Sequence, residues 1–248
     1  MMMTHHDAWH EAMRRFLAGW RPQRLLSSEN VKLRRAATRQ WRALGLSLAP
    51  AKLSGWEVCA SRSEQCTRHC LFSAGRGAPH LRRRDGAHSV WMGRIFRTIW
   101  FFKAREEFLA RLVSEIDANR DAAIRLNMFS NWQWERQFPW LFEEFADVQF
   151  YDYTKHGQRM FRPRPANYHL TFSLHEGNHD EARQVLAAGM NVAAILPDPQ
   201  GRLLGHRVID GDKHDLRFLD PSPVIVGLRP KGSLRKAQSE MIARAKAA

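Results

Sequence analysis

The second half of the chain alternates short apolar segments with amphipathic ones, and this alternation limits the fold more than any other feature. Strands are predicted at residues 123–128, 148–153, 168–174, 191–196 and 224–228, with a shorter one beginning at Arg207. Helices are predicted among them at 135–145 and 180–188. Successive strands joined by crossover helices run parallel in one sheet. The pattern therefore predicts an α/β fold with a mostly parallel sheet.

A long helix is predicted ahead of these strands, from Val90 to about Asn119. Roughly half of the 248 residues follow it, whereas a complete eight-stranded (β/α) barrel needs ~250 residues. We therefore predict a partial (β/α) barrel or an open, mostly parallel sheet, preceded by an N-terminal helical segment.

The N-terminal segment has the pattern of helices. Residues 8–20 place apolar side chains at helical spacing, and residues 28–45 form a basic amphipathic pattern with Ser28 as a candidate N-cap. We divide the chain into a basic helical extension (1–45), a domain with the cysteines and the α/β half-barrel (46–232) and a basic tail (233–248).

Positive charge is concentrated in the first part of the chain. The net charge is +14, of which residues 1–110 contribute +12 and residues 111–248 only +2. A basic region of this kind favours an anionic partner, and we predict nucleic acid. A solubilising role would explain the same charge without any partner.

The sequence also predicts where the protein is found. No apolar run approaches the ~20 residues that span a bilayer, and the first residues lack the apolar core of a signal peptide. We therefore expect a cytoplasmic protein without a membrane partner. The oligomeric state is left open by the sequence.

All three cysteines of the chain lie in one short segment, as Cys59, Cys66 and Cys70. An odd number of thiols so close together is unsuited to a disulfide framework, and thiols in the cytoplasm stay reduced. Clustered thiolates are instead ligands for iron–sulfur clusters and for zinc. The segment is therefore the first candidate for a functional site.

Three interpretations of these thiols are open. Three thiolates hold a [4Fe–4S] cluster with one iron free, as in radical SAM enzymes, which bind S-adenosylmethionine there. The usual spacing in those enzymes is C-x3-C-x2-C, whereas this chain has C-x6-C-x3-C. Zinc would need a fourth ligand, and His69 or His80 is available. In the third interpretation the cysteines bind no metal.

Other polar residues fall where α/β proteins bind ligands. Arg76, between Gly75 and Gly77, could hold a carboxylate or phosphate. Parallel sheets bind ligands at the carboxyl ends of their strands. The residues predicted there are Asn127, Ser130, Asn131, Asp152, Tyr153, Thr154, Lys155, Ser173, His175 and Glu176. For each of them, ordinary loop capping is the alternative.

Three apparent motifs favour ordinary loops. The HExxH of residues 175–179 falls between a predicted strand and a predicted helix, so its histidines do not share a helical face. Tyr151-x3-Lys155 resembles a motif of rolling-circle initiators but lacks their metal-binding histidine strand. The acidic turn at 209–215 is either a divalent-metal site or a solvated turn around Gly211.

The order of these blocks resembles a family of uncharacterised bacteriophage proteins. The matching blocks lie at 47–77, 94–102, 124–135, 148–155, 165–178, 191–197 and 208–232. That family in turn resembles shortened radical SAM half-barrels. The resemblance implies a cluster on the three cysteines, S-adenosylmethionine as cofactor and a location in the cytoplasm of a bacterial host. It also implies a pocket lined by Asn127, Tyr153, Lys155, Ser173 and Asp210.

The leading hypothesis is a phage-type iron–sulfur protein with a radical-SAM-like partial barrel that modifies or acts on nucleic acid. The alternative is a non-enzymatic nucleic-acid-binding protein with a structural zinc in the loop that carries the cysteines and His69. Whether the protein is an enzyme is left open by the sequence.

Overall fold

The computed structural model describes residues 5–28, 33, 41–78 and 89–243. The helices are α1 His5–Leu17, α2 Glu64–Arg68, α3 Ser89–Lys103, α4 Arg105–Asp117, α5 Trp134–Gln137, α6 Pro139–Glu144, α7 Gly157–Phe161 and α8 His179–Ala187. The strands are β1 Leu26–Ser27, β2 Arg42–Leu46, β3 Ala122–Arg125, β4 Phe150–Thr154, β5 Tyr168–Ser173, β6 Val192–Ile195, β7 Arg202–Leu203, β8 His206–Asp210 and β9 Ile225–Leu228.

These strands form one sheet in the order β1-β2-β3-β4-β5-β6-β9-β8-β7. The seven central strands, from β2 to β8 in this order, are parallel to their neighbours, and only the short outer strands β1 and β7 pair antiparallel. Strands β2 to β6 are neighbours in chain order, as in a (β/α) barrel, whereas a doubly wound sheet reverses its strand order at a switch point. The predicted fold class, an open and mostly parallel sheet consistent with a partial barrel, is confirmed.

One face of the sheet is apolar and packs against the helices. Its strand residues share one core cluster with residues of α3, α4, α6 and α8. Side chains alternate between the two faces along each strand, so the residues of this face are two apart. They include Ile124, Phe150, Leu170, Phe172, Val192, Ala194 and Ile225.

The opposite face, which we call the polar face, carries Arg125, Tyr151, Tyr153, His169 and Thr171 in paired register. The segment after β8 covers it, because Leu216 and Phe218 join the smaller cluster around Ala123 and Tyr151. The Phe218 ring lies 5.6 Å from that of Tyr151. Polar groups on this face are therefore enclosed within the molecule.

Several predicted elements differ from those observed. Residues 42–45 of the predicted helix 28–45 belong to β2, since their backbone is paired in register with β3; residues 29–32 and 34–40 lie outside the described ranges. The helix predicted from Val90 is two helices, α3 and α4, because Ala104 leaves the helical conformation at φ −141°. The helix predicted at 135–145 is likewise two short ones, since Pro139 starts α6.

Both ends of the described chain join the domain. The Trp9 indole of α1 donates to the Ser54 carbonyl at 2.8 Å, and Ala8 and Ala12 are buried in the core. The boundary predicted after residue 45 lies within β2. Near the C-terminus, Ile242 bridges to Ile195 at the end of β6, and the side chain of Leu234 is buried. The segment predicted as a tail therefore packs on the domain as far as residue 243.

Candidate functional site at the carboxyl edge of the sheet

The predicted ligand residues collect at the carboxyl edge of the parallel strands. Asn127 and Ser130 follow β3, Lys155 follows β4, and Ser173 and Asp210 end β5 and β8. Tyr153 lies one residue before the end of β4. The strand directions bring these residues to one side of the sheet, as the topology requires.

The segment with the cysteines lies across this edge. We call residues 47–77 the cysteine loop; it follows β2, the first parallel strand. The Cys59 thiol donates to the Phe129 carbonyl at 3.3 Å, and the Asn131 amide donates to the Val58 carbonyl at 2.8 Å. Both partners belong to the turn after β3. The loop is thereby attached directly above the ends of the strands.

Two further contacts attach the other side of the loop. The Gln65 amide donates to Glu176 Oε1 at 3.3 Å, in the loop after β5. His69 Nδ1 lies 2.8 Å from Ser233 Oγ, which follows β9. The cysteine loop therefore extends from the β3 turn to the segments after β5 and β9, and covers the carboxyl edge.

The three thiols are free, partly buried and close enough to influence one another. Burial, together with the smaller effects of charge on Cys70 and Cys66, raises the pKa of Cys59 to about 12. Burial also raises the pKa of Cys70, to which the charge of Cys66 adds. Negative charge on a neighbouring thiolate thus disfavours ionisation of Cys59 and Cys70 unless a cation compensates it.

Two cations lie next to these thiols. The charges of Arg94 and Lys155 both lower the pKa of Cys70, against the larger effect of burial. Arg94 is buried; its Nη1 donates to the Phe72 carbonyl at 2.8 Å and its guanidinium lies 3.9 Å from the centre of the Phe129 ring. Lys155 Nζ donates to Ser173 Oγ at 2.8 Å. Neither cation has a carboxylate within ion-pair distance in the described ranges.

The donor set of the loop suits a metal, but the side chains are not arranged around one. Within the described residues, no three His, Cys, Asp or Glu side chains form a group that could hold a metal ion. Three thiols are the right number and kind of ligand for a [4Fe–4S] cluster with one iron free. Their sulfur atoms are not arranged around a common point.

Arg76 lies in a tight turn at the end of the loop, between Gly75 and Gly77. A Cβ on Gly77 would lie 2.0 Å from the Phe72 carbonyl oxygen, so only glycine fits there. The Arg76 side chain is exposed, and its charge contributes to lowering the pKa of Arg94. The structure thus places Arg76 at the outer border of the site, within electrostatic reach of Arg94.

Asn127 and Ser130 bond within the turn that follows β3. The Asn127 amide and Nδ2 donate to the carboxylate of Asp152 at 2.8 and 3.0 Å. Asn127 Oδ1 accepts from Ser130 Oγ at 2.7 Å and from the Trp132 amide at 2.9 Å. Both residues therefore shape the turn that holds the cysteine loop.

Asp210 and the acidic turn after β8 face cations of the protein itself. Both carboxylate oxygens of Asp210 accept from Arg229 Nη1 at 3.0 Å. Asp212 accepts from Lys231 Nζ and from the Arg229 amide. The turn is thus neutralised by the segment after β9.

The HExxH pattern of residues 175–179 does not lie on one helix. Helix α8 begins only at His179, so His175 lies outside it, as predicted.

A charged cluster on the polar face was missed by the sequence analysis. Arg125 Nη1 donates to Asp215 Oδ2 at 2.7 Å, and the Tyr153 hydroxyl lies 3.4 Å from Asp215 Oδ1. Burial, ahead of the nearby charges, raises the pKa of Tyr153. Arg217 is fully buried beside this group. A charged residue, Arg125, within the mostly apolar predicted strand AIRLNM is the one signal that could have indicated this cluster.

The cluster retains unused hydrogen-bonding capacity. Arg125 Nε, Tyr151 Oη and Arg217 Nη1 are buried and have no hydrogen-bond partner among the described atoms. A buried donor left unpaired costs on the order of 1–3 kcal/mol. These unpaired groups lie on the polar face, which the segment after β8 covers.

Comparison with known proteins identifies a family. No curated protein and no solved structure matches the chain. None of the described helices has the length and apolar character needed to cross a membrane. The model of the family described as Gene product 88 matches residues 24–245, which supports the predicted likeness to phage proteins and extends it to a start at residue 24 rather than about 45. This match covers most of the sequence, and the chain belongs to the Gene product 88 family.

Proposed function

We propose that this member of the family is an iron–sulfur protein in which Cys59, Cys66 and Cys70 hold a [4Fe–4S] cluster. One observation carries the proposal: a loop with three mutually interacting thiols leaves the first parallel strand and covers the carboxyl edge of the sheet. Ligand sites of parallel α/β sheets lie at this edge. Such a cluster, when bound with one iron free, would bind and reduce S-adenosylmethionine.

Residues around the thiols would supply positive charge to the cluster and polar groups to a substrate. Arg94 and Lys155 lie beside Cys70 without a carboxylate partner in the described ranges, so thiolates would compensate two otherwise unbalanced cations. Tyr153, one residue before the end of β4, and Lys155 would offer polar atoms to a substrate at the carboxyl edge. Because the thiols do not converge as placed, the loop has to close around the cluster.

Anaerobic reconstitution with iron and sulfide tests this proposal. We expect roughly four iron and four sulfide per chain, a brown chromophore, and a change in the electron paramagnetic resonance spectrum on adding S-adenosylmethionine. Cys66→Ser should lose most of the iron, whereas Ser73→Ala, in the same loop, should keep it. A colourless protein with stoichiometric zinc, weakened by His69→Ala, would refute the cluster and support the zinc alternative. An intact cluster unaffected by S-adenosylmethionine would remove only the enzymatic part.

We further propose nucleic acid as the partner, on the basis of charge. Residues 1–110 carry a net +12, but some of their arginines pair within the protein. Arg14 and Arg15 both contact Glu11, at 2.8 and 2.7 Å, and Arg21 contacts Glu107 at 2.7 Å. Arg82–Arg84 lie outside the described ranges. Phosphate contacts made by unpaired arginines would release counterions and make the affinity salt-dependent.

The slope of log affinity against log salt tests whether the run Arg82–Arg84 contacts phosphate. Replacing Arg82, Arg83 and Arg84 together by Gln should reduce this slope by up to about 3 in oligonucleotide titrations. The double variant Arg14→Gln/Arg15→Gln is the matched control and should change it little, because Glu11 already pairs with both side chains. A slope near zero for the unaltered protein would mean that the charge is only solubilising.

A further inference from the structure

A cleft opens at the amino edge of the sheet, which is the edge opposite the cysteine loop. It has a volume of about 480 Å³ and lies where β4 and β5 begin. Its walls are Gln149, Arg164, Pro165, Ala166, Tyr168, His169 and Phe218. No part of the function proposed above uses it.

Arg164 brings an uncompensated charge to this cleft. Its Nη1 donates to the Met160 carbonyl at 2.8 Å, and its Nη2 lies 3.7 Å from the sulfur of Met190. No carboxylate lies within ion-pair distance of it in the described part of the chain. By contrast, Arg159, on the neighbouring α7, is paired with Glu135 through Nε and Nη2, at 2.6 and 2.7 Å. Neither contact of Arg164 neutralises its charge, so an anion from outside could compensate it.

The charges around His169 strengthen this positive region. Burial, then Arg164 and Arg217, lower the pKa of His169 to about 4. Its Nε2 lies 3.3 Å from Thr171 Oγ1. The acidic groups in the surroundings are engaged elsewhere, since Asp220 contacts Arg217 at 3.2 Å and Glu135 pairs with Arg159. An anion that entered would offset the charges of Arg164 and Arg217 and favour protonation of the His169 imidazole.

We propose that this cleft binds a small oxyanion of the sulfate or phosphate type, held by the Arg164 guanidinium and hydrogen-bonded by His169. Arginine suits such anions because its planar fork donates two parallel hydrogen bonds. The wall residue Gln149 is fixed by its own bonds to the Phe150 and Asn167 carbonyls, at 2.8 and 3.1 Å. The site is independent of the cluster, and it would be present in protein without iron.

Sulfate titration monitored by calorimetry or NMR of the iron-free protein tests the site. Arg164→Met should weaken sulfate binding by about tenfold or more, the loss expected for one charge-assisted contact. Arg162→Met is the matched control, because Arg162 is exposed, two residues away and outside the cleft walls. If Arg164→Met fails to fold, Arg164→Lys should retain weaker binding. Equal affinities of the two Met variants, or no saturable binding by the unaltered chain, would overturn the proposal.

The pH dependence gives a second measurement on the same site. The charge of sulfate is constant between about pH 5 and 8, so any change reflects the protein. A bound dianion raises the pKa of His169 from its low value, so sulfate should bind more tightly as pH falls. His169→Gln should bind with little dependence on pH. The opposite trend in the unaltered protein would contradict the role of His169.

Competition experiments identify the source of the anion. A nucleoside monophosphate that displaces sulfate, and is weakened by Arg164→Met, would indicate a phosphate ester as the natural ligand. Displacement by inorganic phosphate alone would indicate the free ion. Displacement that Arg164→Met leaves unchanged would place the anion elsewhere and refute the site.

Discussion

Arg159→Met is expected to lower the free energy of unfolding by about 3–5 kcal/mol, the loss typical of breaking a buried ion pair. The side chain is 1% exposed and donates to both oxygens of Glu135, at 2.6 and 2.7 Å. It also donates to the Tyr168 hydroxyl at 2.7 Å and to Asn131 Oδ1 at 3.2 Å. Removing the guanidinium leaves Glu135 charged and largely buried without its partner.

Urea unfolding of three variants separates this effect from the loss of packing. Arg183→Met is the control, since its pair with Asp180 is exposed and should contribute at most about 1 kcal/mol. Arg159→Met combined with Glu135→Gln should regain part of the stability, because no charge is then stranded. A loss for Arg159→Met no larger than that for Arg183→Met would mean that the buried network is not formed.

The same network supports the candidate site. The Tyr168 hydroxyl donates a hydrogen bond to Asp152 Oδ2 at 2.8 Å, and Asp152 in turn accepts from the Asn127 amide at 2.8 Å. Asn127 shapes the turn whose Phe129 carbonyl accepts the Cys59 thiol. Burial raises the pKa of Asp152 to about 6, against the effect of Arg125 and Arg159. The attachment of the cysteine loop therefore depends on the buried charged groups Asp152 and Arg159, which the Tyr168 hydroxyl connects.

The strands after residue 120 could be predicted because each buries apolar residues of high strand propensity and is bounded by polar turns. The five strands predicted there differ from those observed by up to about three residues at an end, a common error at element ends. Strand β2 was missed since RALGL follows a basic helical pattern, and only pairing with β3 makes it a strand. Local sequence does not specify such long-range pairing.

Some residues of the candidate site could likewise be located from the sequence, and others could not. The cysteines and the strand-end positions follow from composition and topology, so they could be located from sequence. Asp215 and Arg217 could not, because they belong to a loop and meet Arg125 only when that loop folds over the polar face. Nor could the sequence show that the side chain of Asn127 bonds within its own turn.

Phe101→Ala is expected to lower the free energy of unfolding by about 3–5 kcal/mol, as for other buried aromatics. The ring is fully buried at the C-terminal part of α3. It contacts the rings of Phe108, Trp132, Trp134 and Phe138, with centroids 5.3, 5.6, 5.3 and 6.2 Å away. No neighbouring side chain can fill the space without leaving another gap, so a cavity would remain.

Thermal unfolding should show the midpoint falling by roughly 6–20 °C, since about 2–4 °C accompany each kcal/mol in a domain of this size. Phe161→Ala is the control, because that ring is 50% exposed and its loss should change stability by less than about 0.5 kcal/mol. Similar midpoints for both variants would contradict the packing of α3 against the turn after β3. Because Trp132 belongs to that turn, Phe101→Ala should also speed alkylation of Cys59, which the turn holds, and Phe161→Ala should not.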